Sequence, residues 1–407
     1  MSPSSDSLID SPAARWRLVA TLAMATLGGV GMWSVVVALP AVQAEFGVDR
    51  AAASFPYTLT MVGFGLGGIL MGRLTDRYGV SLPLAGATLA LALGYVLAAL
   101  APTLFMYALA QGVLIGFLGS SATFGPLLAD ISHWFEKRRG LAVAIVACGN
   151  YLAGTVWPPI VQHLIESVGW RHTHLLIGVV CLLTMLPLTL VLRRRPPHTD
   201  TSFVSTRAMR PPADLGIPPR ALQALLVLAG LSCCVAMAMP QVHIVAYCGD
   251  LGYGPAAGAR MLSLMLGFGI VSRLLSGWIA DRIGGLRTLL LGSALQGVAL
   301  LLYVPFDGLT SLYVVSALFG LFQGGIVPSY AIIIREYFAP HEAGARVGIV
   351  VMATLFGMAL GGWMSGVVFD MTGSYRAAFL NGIAWNLLNL SIVIWLLRRP
   401  GARFARA

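Results

Sequence analysis

The sequence predicts an all-α membrane protein: twelve transmembrane helices in two pseudo-symmetric bundles of six. Three observations carry that prediction. Of 407 residues, 57% are hydrophobic and only 10% are charged, whereas soluble domains hold about 25% charged residues. The apolar residues come in unbroken runs rather than in the alternation a β-barrel requires. One charged octapeptide also occurs twice, as Gly72-Arg73-Leu74-Thr75-Asp76-Arg77-Tyr78-Gly79 and, 205 positions later, as Gly277-Trp278-Ile279-Ala280-Asp281-Arg282-Ile283-Gly284.

A bilayer-crossing helix needs about 20 apolar residues. Twelve such segments can be counted, at 16–39, 52–71, 80–100, 105–128, 139–163, 171–192, 221–248, 257–280, 286–304, 309–334, 346–369 and 376–397. Residues 1–15 are polar and lack the basic start and cleavage site of a signal peptide, so the first run is expected to stay in the mature chain. The six segments of 16–192 make the first bundle. The stretch 193–219 opens with Arg193-Arg194-Arg195-Pro196-Pro197, holds Arg210-Pro211-Pro212, and reads as a polar linker. Residues 220–397 make the second bundle, and 398–407 a short tail. The repeat extends past the octapeptide: at the same offset Gly47 falls on Gly252, and Ala51 and Ala52 on Ala256 and Ala257. The 47 glycines cluster at four-residue spacing, as in Gly63/Gly67, Gly68/Gly72, Gly112/Gly116, Gly357/Gly361 and Gly362/Gly366. In lipid this spacing lets helix backbones approach closely.

The net charge is +10. The basic residues sit at segment ends, which argues against nucleic acid as a partner and for topology signals read by the bilayer. Twelve spans put both termini on one side. That side carries 21 Lys and Arg, and the other carries four: Arg50, Arg171, Arg260 and Arg376. The bias places the termini, the linker and both octapeptide loops in the cytoplasm, with the bacterial inner membrane the expected location. The five cysteines lie in or at the ends of apolar runs without CxxC spacing, so neither a disulfide framework nor a metal site is expected. There is no nucleophile–base pair and no nucleotide-binding loop, so the chain is not expected to be an enzyme, to hold a cofactor or to run on ATP. Two-half membrane proteins are most often transporters.

One basic residue does not fit the topology pattern. Arg273 lies eight residues before Asp281, about 12 Å along a helix from the cytoplasmic end. An Arg near the bilayer midplane costs about 2.5–3.5 kcal/mol on insertion scales and points to a water-filled cavity with an anion partner. Its guanidinium offers a carboxylate two parallel donors. No Asp or Glu lies near the middle of any predicted span; Asp130, Asp250 and Asp370 all sit near ends. One central cation balances one anionic group, so the expected substrate is a small organic monoanion, a monocarboxylate rather than a dicarboxylate.

These residues resemble the major facilitator superfamily. Its signature G-x-L-x-D-R-x-G is intact at Gly72–Gly79, and the second copy has Ile279 in place of Leu. The resemblance covers 16–397 and implies that the motif loops gate alternating access, through contacts of Asp76, Arg77, Asp281 and Arg282 that form in one state and break in the other. Within the superfamily the chain looks like the monocarboxylate porter and oxalate/formate antiporter branch. Trp134-Phe135-Glu136-Lys137-Arg138-Arg139-Gly140-Leu141-Ala142 is close to W-F-x-x-R-R-G-x-A, Gly169-Trp170-Arg171 matches G-W-R, and Phe369-Asp370-Met371-Thr372-Gly373-Ser374-Tyr375 matches F-D-x-T-G-S-Y. Transporters of this branch carry an Arg at the place of Arg273, where it binds the substrate carboxylate.

The remaining candidates are uncharged. Asn150 and Tyr151 fall at the centre of the fifth span and Gln323 at the middle of the tenth. Tyr330 lies nearer the cytoplasm, and Tyr57 towards the outer end of the second span. Each is equally well read as a substrate contact or as an interhelical hydrogen bond. Asn381, Asn386 and Asn389 read as packing residues. His243 titrates near neutral pH in the unperturbed state; a coupling role is set against an inert position beside Pro240. The first span, Leu27 to Trp33, lacks the Lys of animal monocarboxylate transporters, and Met261-Leu262-Ser263 lacks their acid. The usual proton-coupling pair is therefore missing, which leaves proton symport, exchange for a counter-anion and uniport open. The span 346–369 lacks the second cation of oxalate carriers. The expected machine is a monomer that rocks 1–192 against 220–397 around a small organic anion. A drug or neutral-solute exporter is the alternative, disfavoured because Cys148-Gly149-Asn150-Tyr151 lacks a Gly-Pro-rich antiporter motif; a non-transporting sensor is a third.

Overall fold

The computed structural model describes residues 9–194 and 215–399, and every regular element in them is helical. In chain order the α-helices are α1 (Pro12–Gly28), α2 (Val30–Phe46), α3 (Arg50–Tyr78), α4 (Ser81–Leu100), α5 (Leu104–Leu109), α6 (Gly125–Ser132), α7 (Arg139–Ala147), α8 (Gly149–Val191), α9 (Pro219–Asp250), α10 (Pro255–Ile283), α11 (Gly285–Leu302), α12 (Leu309–Gln323), α13 (Ile326–Tyr337), α14 (Pro340–Thr372) and α15 (Tyr375–Leu397). Among the described residues eleven helical stretches are long and apolar enough to cross a membrane. The longest, Arg139–Val191, has 53 residues, about 80 Å if it were straight. It is interrupted at Gly169, which has φ 81° and ψ 159°, so two crossing segments follow one another there. Most of the predicted linker, 195–214, and both tail ends lie outside the described residues.

Several spans that read as single helices are broken. The first, predicted at 16–39, runs Pro12–Phe46 and parts at Gly29 into α1 and α2. The fourth passes from α5 into a π-helical stretch, Ala110–Gly119, then a 3₁₀ turn, Ser120–Thr123, before α6. The tenth parts at Gly324-Gly325 into α12 and α13. Close packing explains these positions. A Cβ on Gly28 would strike Thr123, and one on Gly29 would lie 2.6 Å from the Ala153 side chain. Ser120 Oγ donates to the Gly28 carbonyl (2.9 Å) that the break leaves open.

The paired glycines behave unequally. Gly63 and Gly67 press onto the carbonyls of Gly112 and Phe117, and Gly357 and Gly361 onto those of Leu231 and Val235. Gly68 and Gly72 meet nothing within 4 Å, so the packing expected of that pair is not made.

The chain divides into two compact units. One comprises Met1–Val35 and Val62–Met209, the other Val36–Met61 and Arg210–Ala407. The hairpin from the end of α2 to the start of α3 is thus packed with the second half of the sequence.

Candidate functional site

Arg273 lies in the interior of α10 and is half-buried. Its helix is held against the broken tenth span by backbone contact. A Cβ on Gly320 or Gly324 would overlap the carbonyls of Met265 or Gly269, and one on Gly325 would overlap Ser276. Ser272 and Ser276 flank Arg273 in this contact, and Ser276 Oγ donates to the Arg273 carbonyl (3.0 Å). The small residues therefore fix the height of Arg273 relative to the α12–α13 break.

Gln323 ends α12 at that break and is fully buried. Its Oε1 accepts from Gln241 Nε2 of α9 (3.0 Å), and its own amide nitrogen has no hydrogen-bond partner. Tyr330 belongs instead to a closed polar cluster in the same unit. Its hydroxyl donates to Asn389 Oδ1 (3.2 Å), and Asn389 Nδ2 donates to Ser293 Oγ (2.7 Å). Gln296 Nε2 donates to Asn386 Oδ1 (3.2 Å). Asn386 and Asn389 are thus the packing residues the sequence suggested, and Tyr330 is one of their partners. Tyr57, on α3, is buried against the Gly362 backbone, and its hydroxyl has no partner.

Asn150 and Tyr151 lie in the other unit, in the first turn of α8. Asn150 is half-buried, its carbonyl accepts from Trp33 Nε1 (3.2 Å) and its side-chain oxygen has no hydrogen-bond partner. Tyr151 is buried. The six proposed binding residues thus divide between the units, with Arg273, Gln323, Tyr330 and Tyr57 in one and Asn150 and Tyr151 in the other.

The two octapeptides have the same local geometry. Each closes its helix on a glycine with positive φ, 79° at Gly79 and 83° at Gly284. Each of these glycines donates its amide to the carbonyl four residues back, Thr75 (2.8 Å) and Ala280 (2.9 Å). Asp76, Arg77, Asp281 and Arg282 are exposed. Arg77 lies 5.2 Å over Tyr78 and Arg282 3.6 Å over Trp278. Asp76 and Asp281 make no hydrogen bond or ion pair among the described residues.

The most developed polar network in the second unit surrounds a residue read from the sequence only as a loop charge. Arg50 opens α3 and is 7% exposed. Its guanidinium donates to Tyr375 Oη (2.9 Å) and to both oxygens of Asp250 (3.1 Å each). The Asp370 carboxylate accepts from the Arg50 amide (2.9 Å) and the Ala51 amide (2.7 Å). It is an N-terminal cap for α3 supplied by α14, placed where the free amides and the helix dipole favour an anion. Gly366 makes this possible, because a Cβ there would lie 2.8 Å from Ala51 Cα. His243 extends the chain inward. Its Nε2 is 2.7 Å from the Gly362 carbonyl, which fixes the proton on that nitrogen, and Nδ1 accepts from Tyr375 Oη (3.3 Å). Both ring nitrogens are occupied in a fully buried side chain.

This cap leads to an expected outcome. Asp370→Ala leaves two amides of the first turn without their acceptor, costing about 0.5–2 kcal/mol. The backbone amides of Arg50 and Ala51 then exchange hydrogen faster and the unfolding midpoint falls. Unchanged exchange over the first turn of α3 would contradict the cap.

A sequence profile of the Major Facilitator Superfamily matches residues 21–311 and, in an overlapping match, 261–405. The chain belongs to this superfamily. Among its relatives, monocarboxylate transporter 13 of Rattus norvegicus is 30% identical over 346 residues, covering 84% of this chain and 78% of the relative. Monocarboxylate transporter 13 of Bos taurus is 31% identical over 75% of this chain and 71% of its own. The MFS-type transporter YcxA of Bacillus subtilis is 26% identical over 81% and 82%. In fold, the chain is similar to the nucleoside transporter NupG, with a TM-score of 0.73 at 15% identity over 95% of this chain and 100% of that one. It is also similar to a bacterial homologue of the human lysosomal transporter Spinster, with a TM-score of 0.71 at 14% identity over 97% of each. The protein is therefore a multi-pass membrane transporter of the monocarboxylate-like branch and not an enzyme.

For a facilitator of this branch, sequence reasoning left out Arg50, Asp250, Tyr375, Gln241 and Arg17. Asp370 and Tyr375 stood in the F-D-x-T-G-S-Y motif, and Arg50 was one of only four arginines on the sparse side. Those signals marked the residues without revealing their partners. Arg17 carried no signal. It forms a buried bidentate pair with Asp130 (2.9 Å to each oxygen) and donates to the Leu192 carbonyl (3.1 Å).

Proposed function

We propose that this transporter moves a small organic monoanion, a monocarboxylate, by alternating access, with Arg273 as the group that binds the carboxylate. The observation that carries the reading is a half-buried guanidinium in the interior of α10, packed beside the α12–α13 break. A guanidinium that deep in a span suits an anionic substrate, to which it offers two parallel donors. The named monocarboxylate transporters among the relatives support the same substrate class. Asn150, Tyr151, Gln323 and Tyr57 supply uncharged groups for the rest of the substrate. The unpartnered atoms on Asn150, Gln323 and Tyr57 suit a hydroxyl or keto oxygen. Tyr330 is a weaker candidate, because its hydroxyl is already used.

The octapeptide residues Asp76, Arg77, Asp281 and Arg282 are assigned a gating role at the cytoplasmic side, with both termini in the cytoplasm. Asp76→Asn is expected to lower the maximal transport rate more than the apparent affinity; equal losses of both would remove the gating role. His243 is assigned to structure, not coupling, because both of its ring nitrogens are engaged. The protein is read as functional as a monomer. The deciding experiment is uptake into liposomes holding the purified protein, with labelled acetate, lactate and oxalate and a neutral solute, with and without a pH gradient. Uptake of the monocarboxylates alone is expected. Preference for oxalate or for the neutral solute would overturn the assignment.

A further inference from the structure

A groove runs along one side of the first unit, between the first turns of α4 and the last turns of α8. It encloses about 1060 Å³, at the upper end of the ~300–1,000 Å³ typical of small-ligand pockets. Its walls include Leu82, Leu89, Leu183 and Leu190, all among the exposed large apolar side chains. Its mouth carries Arg193 and Arg194, both exposed and without an ion-pair partner among the described residues.

The mouth is held in place. Ser81 Oγ donates to the Thr189 carbonyl (2.7 Å), fastening α4 to α8 there. Arg17 donates to the Leu192 carbonyl (3.1 Å), fixing the turn from which the two arginines emerge. Asp130 also lines the groove, but both its oxygens accept from Arg17 (2.9 Å each). Arg17 and Asp130 cancel each other, and the mouth keeps the two positive charges of Arg193 and Arg194.

We propose that this groove binds one anionic phospholipid, with an acyl chain along the leucines and the phosphate on Arg193 and Arg194. The dimensions agree. From Leu183 to Arg193 is ten residues, about 15 Å of helix, which is half of the ~30 Å hydrocarbon core. The groove therefore reaches from the headgroup level to the bilayer centre along a single leaflet. Apolar walls of that length exclude a small soluble anion as the natural occupant, and paired guanidiniums select a phosphate with net negative charge.

The test is native mass spectrometry of the full chain in detergent, titrated with dioleoylphosphatidylglycerol, dioleoylphosphatidylcholine or inorganic phosphate. Two basic residues near the surface favour the anionic lipid by about 30-fold. Retention of one phosphatidylglycerol in preference to phosphatidylcholine by roughly that factor is expected. Arg193→Gln with Arg194→Gln abolishes the preference, and Leu190→Trp, which fills the groove but keeps both charges, abolishes retention itself. Unfolding midpoints of both variants, compared with wild type, show that the fold is kept; should the double Gln variant not fold, Leu190→Trp decides alone. Equal retention of the two lipids, displacement of the lipid by inorganic phosphate, or undiminished retention by Leu190→Trp would each overturn the site. No retained lipid at all would likewise overturn it.

Discussion

Arg273→Ala is expected to lower uptake of a labelled monocarboxylate by at least about 30-fold while leaving membrane insertion and the unfolding midpoint intact. The magnitude follows from the chemistry. Losing one partner of a desolvated, charge-assisted pair costs about 2–5 kcal/mol. On the proposed assignment the remaining partner is the substrate, so the loss is expected to fall on transport. Arg273→Lys is expected to recover only part of the rate. Lys keeps the charge but gives up the two parallel donors that match a carboxylate. Measurements in proteoliposomes, with substrate concentration varied, separate affinity from rate. Uptake by Arg273→Ala with wild-type affinity would take Arg273 out of the site and leave a transporter whose cargo has to be sought elsewhere.

Arg17→Ala is expected to destabilise the protein by about 3–5 kcal/mol, because it leaves Asp130 as an uncompensated buried charge. Both side chains are nearly inaccessible, at 4% and 3%. The guanidinium also lies 4.3 Å from the Trp134 ring. Arg17 joins α1 to α6 and to the end of α8, so its loss also loosens the carbonyl contact at Leu192. The double variant Arg17→Met, Asp130→Leu is expected to recover most of the stability, since a well-packed apolar pair replaces a buried ion pair at little or no net cost. Thermal unfolding in detergent checks both variants. A single variant as stable as wild type would show that the pair contributes nothing; a double variant as weak as the single one would trace the effect to the lost packing on Trp134.

The spans and the repeat were legible because lipid imposes a local rule. A helix in the bilayer satisfies its own backbone groups, so about 20 apolar residues in a row announce a span whatever they pack against. The octapeptide copies were legible for a similar reason, since each is a helix end closed by a glycine at positive φ. Arg273 stood out because a charge deep in a span is costly wherever it points. The helix breaks were less legible. Gly29 and Gly324-Gly325 look like other glycines in a chain of 47. Only the neighbours that crowd them, such as Ala153, Ser272 and Ser276, mark where the helix parts.

By itself, then, the sequence determined that this is an all-helical, multi-pass membrane transporter, and which apolar runs its helices are built on. Those properties depend on hydrophobic length, charge placement and repetition, all of which are local along the chain. Tertiary structure decided which polar groups meet. It joined Arg50 to Asp250 and Tyr375, set Asp370 on the amides of α3, paired Arg17 with Asp130 and enclosed Tyr330 among Asn389 and its neighbours. These partners lie between 59 and 325 positions apart in the chain, and hydrogen bonds act over about 3 Å. Separation along a sequence holds no information at that range until the helices are packed.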